Sequence, residues 1–535
     1  MPGSAPATPR FHRLLVLMTA ALLCALRLLP YLAKEESCPG GDEFLGFPYS
    51  TEDSLQYADF IVQAQQGRFF FSDRFSLEPE EPRLVILPLY LLGRLGGLLG
   101  LPVSATWLCF HALSILAFFP LLFWFLRFFF AEPRARLRAF FFLVFAGGLD
   151  GWVALLHGAL PAVWQEQLRQ DLWPVLGWTP YMTSYNPLNL AGWCGLLLLF
   201  RIYLAAEQRP PLLLAAGLGL PLLYLWHAYD ATVAAGAMLG AALAPLLCRL
   251  DARDTGRRLL RCLWLAPGLA LTAIIHAWQL GDPLFQKLVA QSNSHLFVSP
   301  LSWLLGFGAL LPLAAYGARR LAEDTPASRL LFGWLSAAGA LSFLPVYEGR
   351  HFLYFVSLPL YILAYPALHP LRARLWPNAR RWLLFAAAAL LFGNSFVRVT
   401  LYDLRRLDAR ACVSPDELAA AAALARLPPG GVLAARETGN WLPHRAGQRV
   451  ALGHWFMTLQ LFGKREAFSR LLSPGTPPAE RDEILRAFGA RYLFYGPRER
   501  ALGPPPETAA VPLEPIFARG PVRIFQIHDM SAPAR

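Results

Sequence analysis

The sequence predicts an all-α polytopic membrane domain of about eleven spanning helices (1–400), followed by a small α/β domain (401–535). Three observations support this prediction. Apolar residues make up 56% of the chain and charged residues only 16%, too little polar surface for a soluble protein of this size. The apolar residues form blocks of about twenty, the length that crosses a hydrocarbon layer of about 30 Å. After Thr400 these long blocks end and the composition shifts.

The positive charge of the chain is a topology signal. The formal net charge is +12, but the arginines gather in short clusters beside the apolar blocks, as at 134–138, 249–261 and 372–381. Basic residues in that position mark the cytoplasmic ends of helices. We therefore expect no nucleic-acid partner and place the amino terminus in the cytoplasm.

The first span is predicted at Leu14–Ala33, which is longer than the apolar core of a cleaved signal peptide. Residues 34–83 contain eleven Asp and Glu against four Lys and Arg, and they begin a large first outer loop, 34–103. The apolar block Leu84–Leu101 is interrupted by proline, arginine and glycines. We interpret it as a helix in the membrane interface and not as a span.

The later apolar blocks complete the membrane domain. Spans are predicted at 104–130, 139–157, 188–206, 212–226, 231–247, 263–279, 300–317, 330–346, 352–367 and 382–399. An odd number of spans places the C-terminal domain on the extracytoplasmic side. We expect the inner membrane of a bacterial cell as its location.

The C-terminal segment reads as a compact α/β unit. Ser414 caps a predicted helix that runs to Leu427, with Pro415 in its first turn. Strands are predicted at 432–435, 449–452, 492–495 and 522–527, and further helices at 457–473 and 478–488. About 130 residues suffice for a separate hydrophobic core.

The seven cysteines show no metal-ligand spacing. Cys38 and Cys412 would both lie outside the membrane, so a disulfide between them is one alternative. We expect unpaired thiols instead.

The first outer loop contains the candidate catalytic residue. The apolar spacing of Thr51–Gln65 predicts a helix capped by Ser50 or Thr51, with Glu52 and Asp53 in its first turn. The helix dipole favours carboxylates there, so both acids also have a purely structural explanation. Asp59 can likewise be explained as a residue that solvates the loop.

This segment resembles the first outer loop of the GT-C glycosyltransferases, a superfamily that includes protein O-mannosyltransferases and the aminoarabinose transferase of lipid A. The resemblance is carried by Asp53, Tyr57, Asp59 and Gly67 in that order, then by Phe69–Phe71, the acidic proline stretch 78–82 and the apolar block 84–101. As an arrangement it covers 14–400. Where the family often has Asp-Glu or Asp-Asp, this chain has Glu52-Asp53.

The resemblance implies a glycosyltransferase that moves a sugar from a polyprenyl-phosphate-linked donor to an envelope glycan, lipid or protein on the extracytoplasmic face. Asp53 would be the general base that takes the proton of an acceptor hydroxyl. Glu52, Tyr57 and Asp59 would contact the substrates.

A lipid-phosphate leaving group needs a cation. Arg350, between two spans on the outer side, is the best candidate, because an arginine fork binds phosphate with two hydrogen bonds. Arg27 in the first helix is a second candidate. Each arginine could instead reach the membrane interface, Arg350 beside Glu348, without any role in binding.

Further substrate-binding candidates lie in other outer segments. Asp171, Tyr185 and Asn186 combine carboxylate, aromatic and amide groups, which suit the C–H faces and hydroxyls of sugars. His227 and Asp230 place ionisable groups at an outer helix end. Aromatic residues are also common at any membrane interface, so these candidates have a structural alternative.

The sequence requires no cofactor and assigns no metal ligand, although it leaves a divalent cation open. It contains no phosphate-binding loop, G-x-S-x-G elbow or H-E-x-x-H motif. The main alternative function is non-enzymatic: a transporter, a flippase or a scaffold for envelope synthesis. A transporter would place paired charges near the bilayer midplane, often in inverted repeats, whereas the ionisable groups here cluster at outer helix ends.

Overall fold

The computed structural model describes residues 10–145, 184–206, 209, 211–249, 252–292, 307–308, 310–321, 325–344, 349–374, 400 and 411–528. Helices dominate the part before residue 400. They are α1 (Arg10–Glu35), α2 (Thr51–Gln65), α3 (Leu87–Leu98), α4 (Val103–Phe125), α5 (Pro133–Phe145), α6 (Pro187–Ala205), α7 (Pro211–Trp226), α8 (Ala228–Arg249), α9 (Ala252–Cys262), α10 (Ala266–Gln279), α11 (Pro283–Ser292), α12 (Leu310–Arg320), α13 (Pro326–Phe343) and α14 (Tyr354–Arg374).

Five apolar helices within the described residues are long enough to cross a membrane. They are Arg10–Glu35, Val103–Phe128, Pro187–Ala205, Arg253–Gln279 and His351–Leu368. Two shorter apolar helices are Pro211–Trp226 and Ala228–Ala244. The polytopic helical prediction is confirmed, and the count of about eleven spans stays a prediction. The predicted span 382–399 and parts of 139–157 and 300–317 lie outside the described residues.

The chain packs into two compact units. The helical unit comprises Met1–Leu29, Phe110–His276 and Asn293–Arg405; the mixed unit comprises Pro30–Cys109, Ala277–Ser292 and Arg406–Arg535. The first outer loop therefore belongs to the same unit as the C-terminal domain. The predicted domain boundary at residue 400 stays a prediction.

Small residues let the helices of the helical unit approach closely. A Cβ on Gly240 of α8 would lie 2.9 Å from the Cα of Gly333 of α13, and a Cβ on Gly317 of α12 would lie 1.8 Å from the carbonyl oxygen of Leu363 of α14. Helix association in lipid depends on such packing, because the surrounding chains are as apolar as leucine.

The two helices of the first outer loop cross closely in the mixed unit. Helix α2 has the predicted bounds, Thr51–Gln65. Ser50 occupies the cap position at φ 38°, as one of the two predicted cap residues. Its side chain makes no hydrogen bond to the first turn, so the predicted side-chain cap is wrong. Helix α3 lies within the predicted interfacial block, and a Cβ on its Gly93 would lie 2.4 Å from the Cβ of Ala64.

The described part of the C-terminal domain has five helices and one sheet of five strands. Its helices are α15 (Pro415–Leu424), α16 (Arg436–Ala446), α17 (Leu461–Leu472), α18 (Pro478–Phe488) and α19 (Pro497–Arg500), and its strands are β3 (Gly431–Leu433), β4 (Arg449–Val450), β5 (Tyr492–Tyr495), β6 (Leu513–Arg519) and β7 (Val522–Ile527). The strand order is β4-β3-β5-β7-β6, with the first three parallel and the last two pairings antiparallel. The predicted α/β character is confirmed.

A disulfide joins Cys38 and Cys412, so the expectation of unpaired thiols is wrong. Two short strands bring the cysteines together: β1 (Glu43–Phe44) pairs antiparallel with β2 (Cys412–Val413), with Phe44 opposite Cys412. The two cysteines are 374 residues apart, so sequence spacing contains no sign of the contact.

Candidate active site

The first turn of α2 packs against the C-terminal domain within the mixed unit, and the Asp53 carboxylate lies there. Asp53 Oδ1 accepts hydrogen bonds from His454 Nε2 at 3.0 Å and from Trp455 Nε1 at 3.1 Å. The Asp53 side chain keeps 37% of its surface exposed, while His454 keeps 2%. The arrangement holds one carboxylate oxygen on rigid rings and leaves the group accessible.

The His454 ring is fixed by its own backbone. The N–H groups of Phe456 and Met457 lie 3.2 and 3.3 Å from His454 Nδ1. A nitrogen that accepts hydrogen bonds carries no proton, so the ring proton sits on Nε2 and points at Asp53.

Glu52, the neighbouring acid, has different partners. It forms an ion pair with Arg436 and accepts a hydrogen bond from Asn440 Nδ2 at 3.1 Å. Arg436 and Asn440 stand one turn apart on α16, so Glu52 fastens α2 to that helix. The Glu52 side chain is only 16% exposed. The geometry favours a docking role for Glu52 and leaves Asp53 as the more accessible of the two acids.

Asp59 is enclosed within the loop structure. Its carboxylate has no exposed surface, pairs with Arg74 at 3.0 Å and accepts a hydrogen bond from Gln63 at 2.8 Å. Burial raises the pKa of Asp59 despite the opposing effect of Arg74. Solvation of the loop, the structural alternative for Asp59, is therefore wrong, and its predicted substrate contact stays a prediction.

Tyr57 is half-buried and lies one turn beyond Asp53. Its ring stacks on Trp107 at 5.6 Å between centroids. Tyr57 remains a predicted substrate contact, because stacked aromatic faces near a carboxylate suit a sugar.

The other predicted site residues belong to the helical unit. His227 Nδ1 pairs with Asp230 Oδ2, and Asp230 is completely buried. Gly192 makes room for that carboxylate, since a Cβ there would lie 2.4 Å from Asp230 Oδ2. Asn186 caps α6 by accepting a hydrogen bond from the Leu188 N–H at 3.0 Å, and the neighbouring Tyr185 is half-buried.

Of the two candidate phosphate ligands, Arg350 lies in a 3-10 helix at Gly349–Leu353. Arg27 is 1% exposed, and its Nε donates to Ser184 Oγ at 2.8 Å. Arg27 is therefore enclosed within the protein. Asp171 lies outside the described residues.

In the sequence, His444 and His454 form a pair without a third ligand, which is weak evidence for a metal site. The described part of the chain has no cluster of three or more His, Cys, Asp or Glu side chains that could hold a metal ion. His444 is buried with its ring near Phe47, and burial lowers the pKa of His444 to about 3. Arg436, Asn440 and Trp455 were missed as partners of the two acids, and no local sequence signal marks them.

Comparison with known proteins is informative for the fold. No family model and no curated protein sequence matches the chain. Among solved structures, the oligosaccharyltransferase AglB from Archaeoglobus fulgidus, in complex with an inhibitory peptide and a dolichol-phosphate, matches 91% of this chain and 69% of its own, with a TM-score of 0.54 and 13% identity.

The same enzyme in the apo form gives a TM-score of 0.55 at 14% identity, over 91% of this chain and 70% of that one. ArnT from Cupriavidus metallidurans in the apo state matches 97% of this chain and 99% of its own, with a TM-score of 0.50 and 13% identity. This chain has the GT-C fold. The predicted resemblance is thereby confirmed, and the chain is a membrane protein.

The match to ArnT extends over nearly the whole of both chains, so the GT-C likeness includes the C-terminal domain. At 13% identity, this likeness shows the fold alone and not the reaction.

Proposed function

We propose that this chain is a glycosyltransferase that transfers a sugar from a polyprenyl-phosphate-linked donor to an envelope glycan, lipid or protein. The observation that supports it is the Asp53 carboxylate, accessible and oriented at the start of α2 in a chain with the GT-C fold. GT-C structural neighbours are glycosyltransferases with lipid-linked donors, and the AglB complex contains a dolichol-phosphate.

Asp53 acts as the general base. It takes the proton of an acceptor hydroxyl as the oxygen forms a bond to the anomeric carbon of the sugar. The bond from that carbon to the phosphate oxygen breaks, and the polyprenyl phosphate departs with the bonding electrons. Asp53 suits this role because it accepts hydrogen bonds from the ring N–H groups of His454 and Trp455, whereas Arg436 pairs with Glu52.

The departing phosphate needs positive charge, and Arg350 is proposed to supply it. Tyr57, Tyr185, Asn186, His227, Asp230 and Asp171 remain proposed sugar or acceptor contacts. The reaction as written needs no metal ion, and a requirement for a divalent cation stays an additional proposal.

The extracytoplasmic side of an inner membrane is proposed for the C-terminal domain. The disulfide between Cys38 and Cys412 supports this placement, because disulfides persist in oxidising compartments and are rare in the cytosol.

Analysis of envelope glycans tests the proposal directly. Cells that lack the chain are complemented with wild-type protein, Asp53→Asn or the control Glu36→Gln, which changes an exposed acid of the same outer loop. We expect mass spectrometry to show a missing sugar that wild type and Glu36→Gln restore and that Asp53→Asn does not. Unchanged glycans in the deletion, or full restoration by Asp53→Asn at equal protein level, would contradict the proposal.

A further inference from the structure

We infer that His454 and Trp455 are positioning residues for Asp53, so that the C-terminal domain completes the catalytic apparatus in addition to any contact with the acceptor. This inference rests on the proposed function of Asp53. It concerns residues more than 400 positions away in sequence, joined to Asp53 Oδ1 by hydrogen bonds of 3.0 and 3.1 Å.

Two donors on one oxygen restrict how the carboxylate can turn. An aspartate side chain held by a single hydrogen bond can still rotate about its terminal torsion, which is a broad, soft coordinate. Here the donors come from adjacent rings whose own positions are fixed, so both the place and the plane of the carboxylate are set. A general base must lie within hydrogen-bond reach of the proton that it takes, so this orientation determines the rate.

The neutrality of both donors matters for the chemistry. The indole N–H of Trp455 is never charged, and His454 Nδ1 accepts hydrogen bonds from the Phe456 and Met457 N–H groups, which leaves Nε2 as the donor to Asp53. An arginine at this place would stabilise the carboxylate anion more strongly and make it a poorer base. Glu52 takes the arginine instead.

The turn that bears His454 and Trp455 is itself anchored from several sides. The Thr458 hydroxyl donates to the Phe75 carbonyl at 2.9 Å and accepts from the Gly453 N–H at 3.1 Å. Gln291 of α11 donates to the Thr458 carbonyl at 3.0 Å. These contacts hold a turn that has no regular secondary structure of its own, as expected for a loop that supports a site on rigid elements.

The test compares His454→Ala, His454→Gln and Trp455→Phe with the control His528→Ala, which changes a histidine of the same domain that is 42% exposed. The glutamine amide can place an N–H near the position of Nε2. The rate is sugar transfer by purified variants added to membranes of the deletion strain, with the endogenous donor. Binding is measured with undecaprenyl phosphate.

We expect His454→Ala to lower the rate about ten- to a hundredfold and Trp455→Phe by a smaller factor, with binding of undecaprenyl phosphate unchanged within about twofold. His454→Gln should recover much of the rate lost in His454→Ala, and His528→Ala should match wild type. Trp455→Phe keeps an aromatic ring but removes the indole N–H, so it still tests the inference if His454→Ala does not fold.

Wild-type rates in both folded His454→Ala and Trp455→Phe would overturn the inference. If Asp53→Asn is inactive in the same assay, that result leaves the proposed function intact. If Asp53→Asn is active, the proposed function itself is wrong. A rate loss in His454→Ala that His454→Gln does not recover, together with a wild-type rate in Trp455→Phe, would show a packing effect and also overturn the inference.

Discussion

Adjacent residues of one helical turn have opposite surroundings in this protein. Glu52 meets an arginine and an amide, and Asp53 meets two neutral ring N–H groups. Because side chains at successive helix positions point about 100° apart, one can fasten α2 to α16 while the other faces the turn at His454. The surroundings thus differ between the acid that docks α2 and the acid proposed as the general base.

The sequence alone supports Asp53 as a candidate but not its partners. Acids in a first helical turn and the resemblance in the first outer loop both concern local spacing. The hydrogen bond from His454 spans 401 positions, and no periodicity reports a contact at that distance. Asp59 shows the opposite failure: it resembles a solvated loop acid in the sequence, yet the fold encloses it with Arg74.

A buried acid in the same loop predicts how stability depends on pH. Burial raises the pKa of Asp73 well above its usual range, and the nearby acids Glu80 and Asp59 add to that effect, while the Phe75 N–H and Arg449 oppose it only in part. The folded chain therefore keeps a proton that the unfolded chain releases above pH of about 3.9. The contribution of Asp73 to the free energy of unfolding is therefore complete below that pH. It is lost as the pH rises through the pKa of the folded state.

We expect Asp73→Asn to remove this loss, because asparagine stays neutral and its oxygen can still accept the Phe75 N–H that Asp73 Oδ1 binds at 2.7 Å. Melting of the detergent-solubilised protein, followed by tryptophan fluorescence between pH 4 and 8, measures it. Relative to wild type, Asp73→Asn should gain about 1 kcal/mol or more at the alkaline end and little at pH 4. The control Asp42→Asn changes a half-buried acid of the same loop. Parallel curves for wild type and Asp73→Asn would contradict the expectation.

Among the helices and strands, those with clear apolar spacing and end residues in the sequence have the bounds that were predicted for them. Helix α2 has its predicted bounds because apolar spacing and first-turn acids agree. Helix α16 was missed, since it contains Gly439 and Pro443 and has weak intrinsic helix propensity. Strand β6 was missed as well. Its Pro515 sits beside a register shift on the edge strand, where proline is tolerated.

Two glycines join α16 to the turn that contacts Asp53. A Cβ on Gly439 would lie 1.7 Å from the Leu452 carbonyl oxygen, and a Cβ on Gly453 would lie 2.9 Å from the Gly439 carbonyl oxygen. The neighbouring atoms are backbone and cannot move aside as a flexible side chain would. The partners of Glu52 and those of Asp53 are therefore held in register by one close backbone contact.

We expect Gly439→Ala to push the His454 turn away from α16, with a loss of stability of about 2 kcal/mol or more and a larger relative loss of transfer rate. Gly463→Ala is the control, because Gly463 lies in α17 with nothing within 4 Å of its added Cβ. That change should be neutral or stabilise by up to about 1 kcal/mol. Thermal melts and the membrane transfer assay measure both variants. Wild-type behaviour of Gly439→Ala would show that the contact does not constrain the turn.

At the scale of the whole molecule, hydropathy predicted the membrane helices and composition predicted the C-terminal domain. Neither could predict that the first outer loop packs with that domain, because packing partners are set by the tertiary fold and not by order along the chain. Two links secure this packing: backbone hydrogen bonds between β1 and β2, and the disulfide beside them. Both join the segment after the first helix to the start of the C-terminal domain.

We expect Cys38→Ser to weaken the mixed unit by about 2–5 kcal/mol, since the disulfide closes a segment of 374 residues and limits the unfolded chain. In the unfolded state, helices that remain in the membrane also restrict the segment between the two cysteines. We therefore expect a loss of stability in the lower part of this range. Wild type treated with dithiothreitol should melt like Cys38→Ser. The control Cys109→Ser changes a free, exposed cysteine of the same unit and should melt like wild type.

The same cysteine pair tests the proposed side of the membrane. In intact cells treated first with a membrane-impermeant reductant and then with an impermeant maleimide, wild type should gain label at Cys38 and Cys412, and label without reductant should be low at both. Only an extracytoplasmic domain gives that result. There both reagents reach the disulfide, and the compartment keeps it oxidised until the reductant is added. Labelling of these two thiols only after cell lysis would place the domain in the cytoplasm, and the mixed unit would then have to fold without its covalent link.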